Sequence, residues 1–182
     1  MNELKEELET LRSKVAEYEK AETRWKTLEK KLELSEASLR QIIDLVPHFI
    51  FAKDIDGTFI LVNKAIAESY GTTVEDLTGK KDVDFLTEAE AENFTNDDKD
   101  VISSGKRKFI EEEFLTDSKG RRYFLQTTKI PYSSAITEKQ AVLGVSVDIT
   151  KQKEAVFALK ESEKKYRALY DYVPLAYQSL DE

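Results

Sequence analysis

Apolar residues at Leu4, Leu11, Tyr18, Trp25, Leu32 and Leu39 recur at every seventh position through an otherwise charged N-terminal stretch. That spacing is half of a heptad seam. The other half changes sides. Four residues on from the seam, Leu8 and Val15 are apolar but Glu22, Glu29 and Glu36 are not, and Ala21, Leu28 and Ile42, three residues on, take over. So narrow a stripe does little for a lone helix, because helices in water draw most of their stability from packing. Residues 3–40 are therefore expected to form a parallel coiled coil with a second copy, imperfect near Tyr18.

Past Val46-Pro47 the period shortens to that of strands. Residues 49–53 and 58–62 read as a hairpin joined through Asp54-Ile55-Asp56-Gly57, whose Asp-Gly pair suits a tight turn. The same Asp-x-Asp-Gly string is a poor calcium loop: with Gly57 as the invariant glycine, Ala52 and Asn63 would fall where the first and last ligands are needed. Short helices follow, one capped by Asn63 and ended by Gly71, another turn over Thr73–Leu77, and a longer one over residues 87–103 ended by Gly105. Residues 109–115, 121–130 and 140–147 then have strand character. The layout is two strands, a helical block and three strands. Tyr123-Phe124-Leu125 and Val142-Leu143-Gly144-Val145 put apolar side chains on both faces of the resulting sheet.

Composition narrows the classes. A net charge of -8 leaves no basic stripe for phosphates, which argues against nucleic acid as a partner. No apolar run approaches the roughly 20 residues that cross a bilayer, and no signal-peptide pattern opens the chain. Cysteine is absent, which removes disulfides, thiolate metal sites and cysteine nucleophiles. These features suit a cytoplasmic segment, with no membrane in this stretch of chain.

A partial internal repeat adds organisation. Ser35-Glu36, Arg40, Asp44 and Val46-Pro47 return in register as Ser162-Glu163, Arg167, Asp171 and Val173-Pro174. A period of domain size marks a modular array. The chain thus divides into a coiled-coil helix (1–34), a globular domain (35–150), a linker helix (151–170) and the truncated start of a second module (171–182).

Four stretches carry a family resemblance: Asp54–Asn63 in the first hairpin, Gly79–Phe85 before the long helix, Ser104-Gly105-Lys106 after it, and Gly144–Thr150 at the end. In their order and spacing they resemble a PAS domain, over about residues 35–150. The resemblance implies an α+β PAS fold: a five-stranded antiparallel sheet of order 2-1-5-4-3, helices on one face, and a pocket between them, flanked here by the N-terminal coiled-coil helix and the C-terminal linker helix. Asp148-Ile149-Thr150 is similar to the family's Asp-x-Thr junction, with Thr150 a good N-cap and Asp148 able to pair at the helix start. The function implied is a sensory and dimerisation module, a homodimer through its coiled coil. It would relay a signal through its flanking helices to an effector domain in the same parent chain, with a histidine kinase of a two-component system as the leading parent. The alternative is a ligand-free scaffold that only dimerises and sets helix register between modules.

Catalytic chemistry is poorly provided for. The sequence has no phosphate loop, no nucleophile elbow and no paired-histidine motif, so no enzymatic activity is expected of this segment. The single histidine, His48, opens the first strand rather than lying on the long helix, where heme-binding relatives carry their ligand; this argues against heme. A cysteinyl-flavin adduct is excluded without cysteine, and a non-covalent flavin or another small molecule stays open. An open pocket would be lined by Phe51, Ile60, Tyr70, Phe85, Phe94, Ile102, Phe114 and Phe124, with Gln126 and Thr128 orienting a ligand. The preferred reading is that the same aromatics fill the core and leave no cavity.

Overall fold

A computed structural model describes residues 2–134 and 140–172, with the side chains of 2–4 and 171–172 excepted. Leu4's side chain and, from residue 173 on, the expected start of a second module lie outside the described residues, including the Val173-Pro174 end of the repeat. The chain divides after Leu45 into two compact units.

The first unit is one helix, α1 (Asn2–Leu45), which runs past the expected end at residue 40. Leu11, Tyr18, Trp25, Leu32 and Leu39 are all more than half exposed along it. Large apolar groups thus stand exposed in one row along the helix.

The second unit holds β1 (Phe49–Asp54), β2 (Phe59–Val62), α2 (Lys64–Ser69), α3 (Val74–Leu77), α4 (Glu88–Ser104), β3 (Lys108–Thr116), β4 (Arg122–Ser133), β5 (Gln140–Asp148) and α5 (Thr150–Tyr172). A single 3-10 turn, Asp82–Asp84, precedes α4. The strands form one sheet of order β2-β1-β5-β4-β3, as the resemblance implied, and every pairing is antiparallel. Short local connections explain most of that order. The helical block is the one long excursion, and it carries the chain from β2 at one edge to β3 at the other.

Asn63 organises the crossing. Its side chain is fully buried, accepts from the amides of Ile50 and Ile66, and donates to the carbonyls of Val46 and His48. One residue thereby caps α2 and holds the entry of β1, satisfying buried backbone groups that would otherwise be orphaned. Across the sheet, β2 is not a free edge. Phe59 exchanges hydrogen bonds with Lys80 and Gly79, which blunts pairing with another strand.

The core lies between the sheet and the helices. Phe49, Phe51, Phe59, Val62, Ile66, Tyr70, Leu77, Leu115 and Leu125 form its apolar cluster. Its rings meet edge to face along Phe51–Phe59–Tyr70–Phe85, with centroids 6.4, 5.9 and 5.7 Å apart, a geometry that aromatic quadrupoles favour.

Candidate functional site: a charged box inside the core

Period-2 alternation carries more than apolar groups into this interior. On β1, Phe49, Phe51 and Lys53 share one face, and all three are buried. On β4, the buried positions are Leu125, Thr127 and Lys129. On α4, Ala91, Phe94, Asp98 and Val101 follow helical spacing, and Ala91, Asp98 and Val101 are buried. Lysines from the two strands that flank β5, on the same face of the sheet, thus converge on an aspartate from the helix above.

Lys53 Nζ donates to Asp82 and, at 3.2 Å, to Asp98 Oδ2. Lys129 Nζ stands 2.7 Å from Asp98 Oδ1, an ion pair without hydrogen-bond alignment, and donates to the Phe94 carbonyl at 3.2 Å. Asp82 Oδ1 accepts from the Tyr70 hydroxyl at 2.7 Å. Both ammonium groups also lie near aromatic faces, Lys53 at 4.7 Å from the Phe59 centroid and Lys129 at 5.7 Å from that of Phe94. Two cations and two anions balance, which is the condition under which buried charge is tolerated.

Protonation follows from this packing. Burial by itself would lower the Lys53 pKa, but Asp82 and Asp98 outweigh it and hold the ammonium above its ordinary value. Burial, and then the Asp82 carboxylate, push the Tyr70 phenol well up, so it stays protonated and donating. Glu113 on β3 faces the same interior. Burial raises its carboxyl above the usual range, although its bond with Thr127 and the Lys129 charge oppose the rise. Thr127 in turn stands 2.7 Å from Ser146 Oγ, which makes a hydroxyl relay from β5 through β4 to Glu113 on β3.

These residues enclose a small cavity of about 20 Å³, lined by Phe49, Phe51, Lys53, Ile66, Tyr70, Asp82, Phe94, Glu113, Leu115, Leu125, Lys129 and Ser146. Outside it, between α4 and β3, runs a wider groove of about 580 Å³. Phe94 and Glu113 belong to both walls.

Of the residues expected to line a pocket, Phe51, Tyr70 and Phe94 stand on the cavity wall. Phe85 packs against the core from outside that wall. The rest sit one position away from a residue that faces inward: Ile60 beside buried Phe59, Ile102 beside Val101, Phe114 beside Leu115, Phe124 beside Leu125, Gln126 beside Thr127, and Thr128 beside Lys129. On a strand a one-residue offset reverses the face. Phe114 and Phe124 instead meet each other on the reverse side at 5.0 Å, with the Arg122 guanidinium 3.8 Å above Phe114.

At the junction with α5, Asp148 Oδ1 accepts from the Thr150 amide at 2.9 Å. The Thr150 hydroxyl does not cap its own helix. It accepts from the Phe124 amide at 3.0 Å, while the Ile149 amide donates to the Phe124 carbonyl, so the first residue of α5 is clasped to β4. Lys153 then pairs with Glu112 of β3. Beyond that turn, Phe157, Leu159, Tyr166 and Leu169 are exposed.

Among the described residues no cluster of histidine, cysteine, aspartate or glutamate has metal-binding geometry. No described helix is long and apolar enough to cross a membrane.

An antiparallel sheet of this order, roofed on one face by helices that close over a small interior cavity, is the architecture that the family resemblance implied. Residues 43–154 match the family model described as the PAS fold, and the chain belongs to that family. Two curated proteins are similar to it: the uncharacterized protein y4lL of Sinorhizobium fredii, 26% identical over 140 residues and 76% of this chain, and the methanogenesis regulatory histidine kinase FilI of Methanothrix harundinacea, 25% identical over 134 residues and 74% of this chain. The chain spans only 17% and 15% of their respective lengths. Among solved structures, the PAS domain of an HTR-like protein from Haloarcula marismortui shares the fold at a TM-score of 0.56 and 22% identity, covering 68% of this chain and 99% of that one.

Proposed function

We propose that this PAS domain is a cytoplasmic sensing and dimerisation module that passes a signal through α1 and α5 to an effector domain in the same parent chain, a histidine kinase being the favoured effector. The observation that carries the reading is the attachment of α5. Its first turn is fixed to β4 by the Thr150–Phe124 clasp and to β3 by the Lys153–Glu112 pair, while its later apolar residues stand exposed. A helix held only at its root turns with the strands that hold it, and bistable packing elsewhere can amplify a small rotation. The kinase assignment draws on the similarity to FilI, whose name describes a histidine kinase.

Pairing of α1 with a second copy supplies the dimer. Its exposed seven-residue row, from Leu11 to Leu39, is the surface that such pairing would cover. Deleting residues 1–33 is expected to abolish most self-association in sedimentation equilibrium. A truncated core that stays a tight dimer overturns the coiled-coil reading.

A second reading, a scaffold without a ligand, is favoured by the small volume of the cavity. Non-covalent mass spectrometry of gently purified protein separates the two: a retained small molecule supports sensing, and its absence across preparations supports the scaffold.

A further inference from the structure

The apolar row of α1 resolves into two frames. Leu4, Leu8, Leu11, Val15 and Tyr18 are separated by alternating steps of four and three. That alternation makes Leu8 and Val15 a positions, and Leu4, Leu11 and Tyr18 d positions, of a heptad. From Tyr18 the alternation restarts through Ala21, Trp25, Leu28 and Leu32 at steps of three and four, which makes Tyr18 an a position as well. Two steps of three in succession, Val15 to Tyr18 to Ala21, amount to three residues inserted into the repeat. The helix runs through them without a break. Such an insertion overwinds a coil locally without ending it.

Charges flank both frames in one consistent pattern. In a parallel two-stranded coil, a g side chain faces the e side chain five residues further along its partner. The first frame then sets Glu7 opposite Arg12 and Lys14 opposite Glu19. The second sets Arg24 opposite Glu29 and Lys31 opposite Glu36. Every one of these pairs is of opposite charge. Residues five apart on a single helix do not face each other, so no chain can close such a pair by itself. Among the described residues none of them makes an ion pair, whereas their neighbours do so along the helix: Lys26 with Glu22 at 2.7 Å and Lys30 with Glu33 at 3.3 Å. One like-charge meeting, Glu17 with Glu22, falls where the frames change.

The two frames oppose different errors. Beyond Tyr18 the g positions, Arg24 and Lys31, are basic, and the e positions, Glu22, Glu29 and Glu36, are acidic. In an antiparallel coil g meets g and e meets e, which here sets like charge against like. A slip of one heptad costs this frame little, because each meeting keeps its sign. Before Tyr18 the signs alternate. There a slip in one direction places Glu7 opposite Glu19. In the other it places Lys14 opposite Arg12, with only Glu7 and Lys5 to offset the repulsion. Repulsion in the wrong arrangements is what turns attraction into specificity.

We infer that α1 pairs with the α1 of an identical chain, parallel and in register, and that its flanking charges select this partner. Glu7, Arg12, Lys14 and Glu19 set the register, and Arg24, Glu29, Lys31 and Glu36 set the orientation. This rests on the dimerisation reading above and adds what the partner must carry: complementary charge on both sides of a three-residue insertion. A helix with an uninterrupted heptad can match one frame or the other, and is rejected.

The test uses the full 182-residue chain and reverses the charges of one pair. In the inferred dimer, Lys14→Glu alone brings carboxylates together, and Glu19→Lys alone brings ammonium groups together. Each variant is expected to raise the dimer dissociation constant about tenfold in sedimentation equilibrium. Two rescues are expected. The chain with both reversals regains the parent's affinity. An equimolar mixture of the two single variants forms heterodimers well beyond the statistical half, counted by native mass spectrometry with one variant isotope-labelled. Trp25, the sole tryptophan, reports on the second frame, and its emission should shift to the blue over the concentrations at which the parent dimerises. Single variants that dimerise as tightly as the parent, or a double variant no tighter than the singles, overturn the inference and leave the dimerisation reading standing. A parent chain that stays monomeric overturns both.

Discussion

The far end of the Phe51 ring occupies the space over Gly144 of the neighbouring strand: a Cβ built on Gly144 would come within 2.1 Å of the Phe51 ring. The two residues are register partners across β1 and β5, directly beneath the charged box. Glycine is needed here for lack of a side chain, and not for an unusual backbone angle. Gly144→Ala is expected to destabilise the domain by about 1–3 kcal/mol through overpacking. Urea denaturation measures the loss, and Phe51→Leu on the same background should recover part of it. A double variant no better than Gly144→Ala alone would show that the ring is not the obstacle.

Asp98 is the hinge of the buried network because it faces both lysines. Asp98→Ala strands two ammonium groups with one carboxylate, and breaking a buried pair in this way costs about 3–5 kcal/mol. Asp98→Asn keeps the shape but not the charge and should cost less. Equal losses in the two variants would mean that packing, and not charge, is what Asp98 contributes.

Glu113 gives the interior a pH dependence of known sign. Its carboxyl is raised in the fold, so the folded protein binds a proton more readily there than the unfolded chain does. The stability it contributes is complete below the ordinary carboxylate pKa and is lost as pH rises through the raised value. Glu113→Gln removes that titration. The variant is expected to lose less stability than the parent between mildly acidic and neutral pH, and to melt higher at neutral pH. Parallel pH profiles of melting temperature for the two proteins would contradict this.

The Thr150 hydroxyl holds α5 to β4 through the Phe124 amide. Thr150→Val keeps the shape and removes the acceptor. Global stability should fall by about 0.5–1.5 kcal/mol, the net worth of one such bond. Amide exchange at Phe124 and in the first turn of α5 should accelerate by a larger factor than exchange in β1. Uniform acceleration across the sheet would mean that the clasp does not act locally.

The fold was legible in the sequence because its signals are local. The Asp-Gly hairpin at Asp56-Gly57, the Asn63 cap and the Gly105 stop each fix an element within a few residues, and the sheet order followed from the family resemblance. The interior was less legible, for two physical reasons. Phe114 and Phe124 are larger than Leu115 and Leu125, and size alone points to the wrong parity on a strand with apolar residues on both faces. Charge misled in the same way. Lys53, Lys129 and Asp98 are among the most buried residues, although lysine and aspartate are ordinarily found outside. A signal existed: all three fall in phase with neighbouring apolar residues, Lys53 with Phe49 and Phe51, Lys129 with Leu125, and Asp98 with Ala91, Phe94 and Val101. Glu113 offered a weaker cue: it is in phase with buried Leu115, but the irregular register between Ile110 and Glu113 breaks the alternation before it.

The mutual dependence of Lys53, Asp82, Asp98 and Lys129 also constrains descent. A change of charge at any one of the four exposes an uncompensated ion to a dry interior. Lineages are therefore expected to keep all four residues or to exchange them together for apolar ones, with few stable intermediates between. Substitution at these positions should be correlated in time, so that a descendant with leucine at position 98 would have neutral residues at 53, 82 and 129 as well.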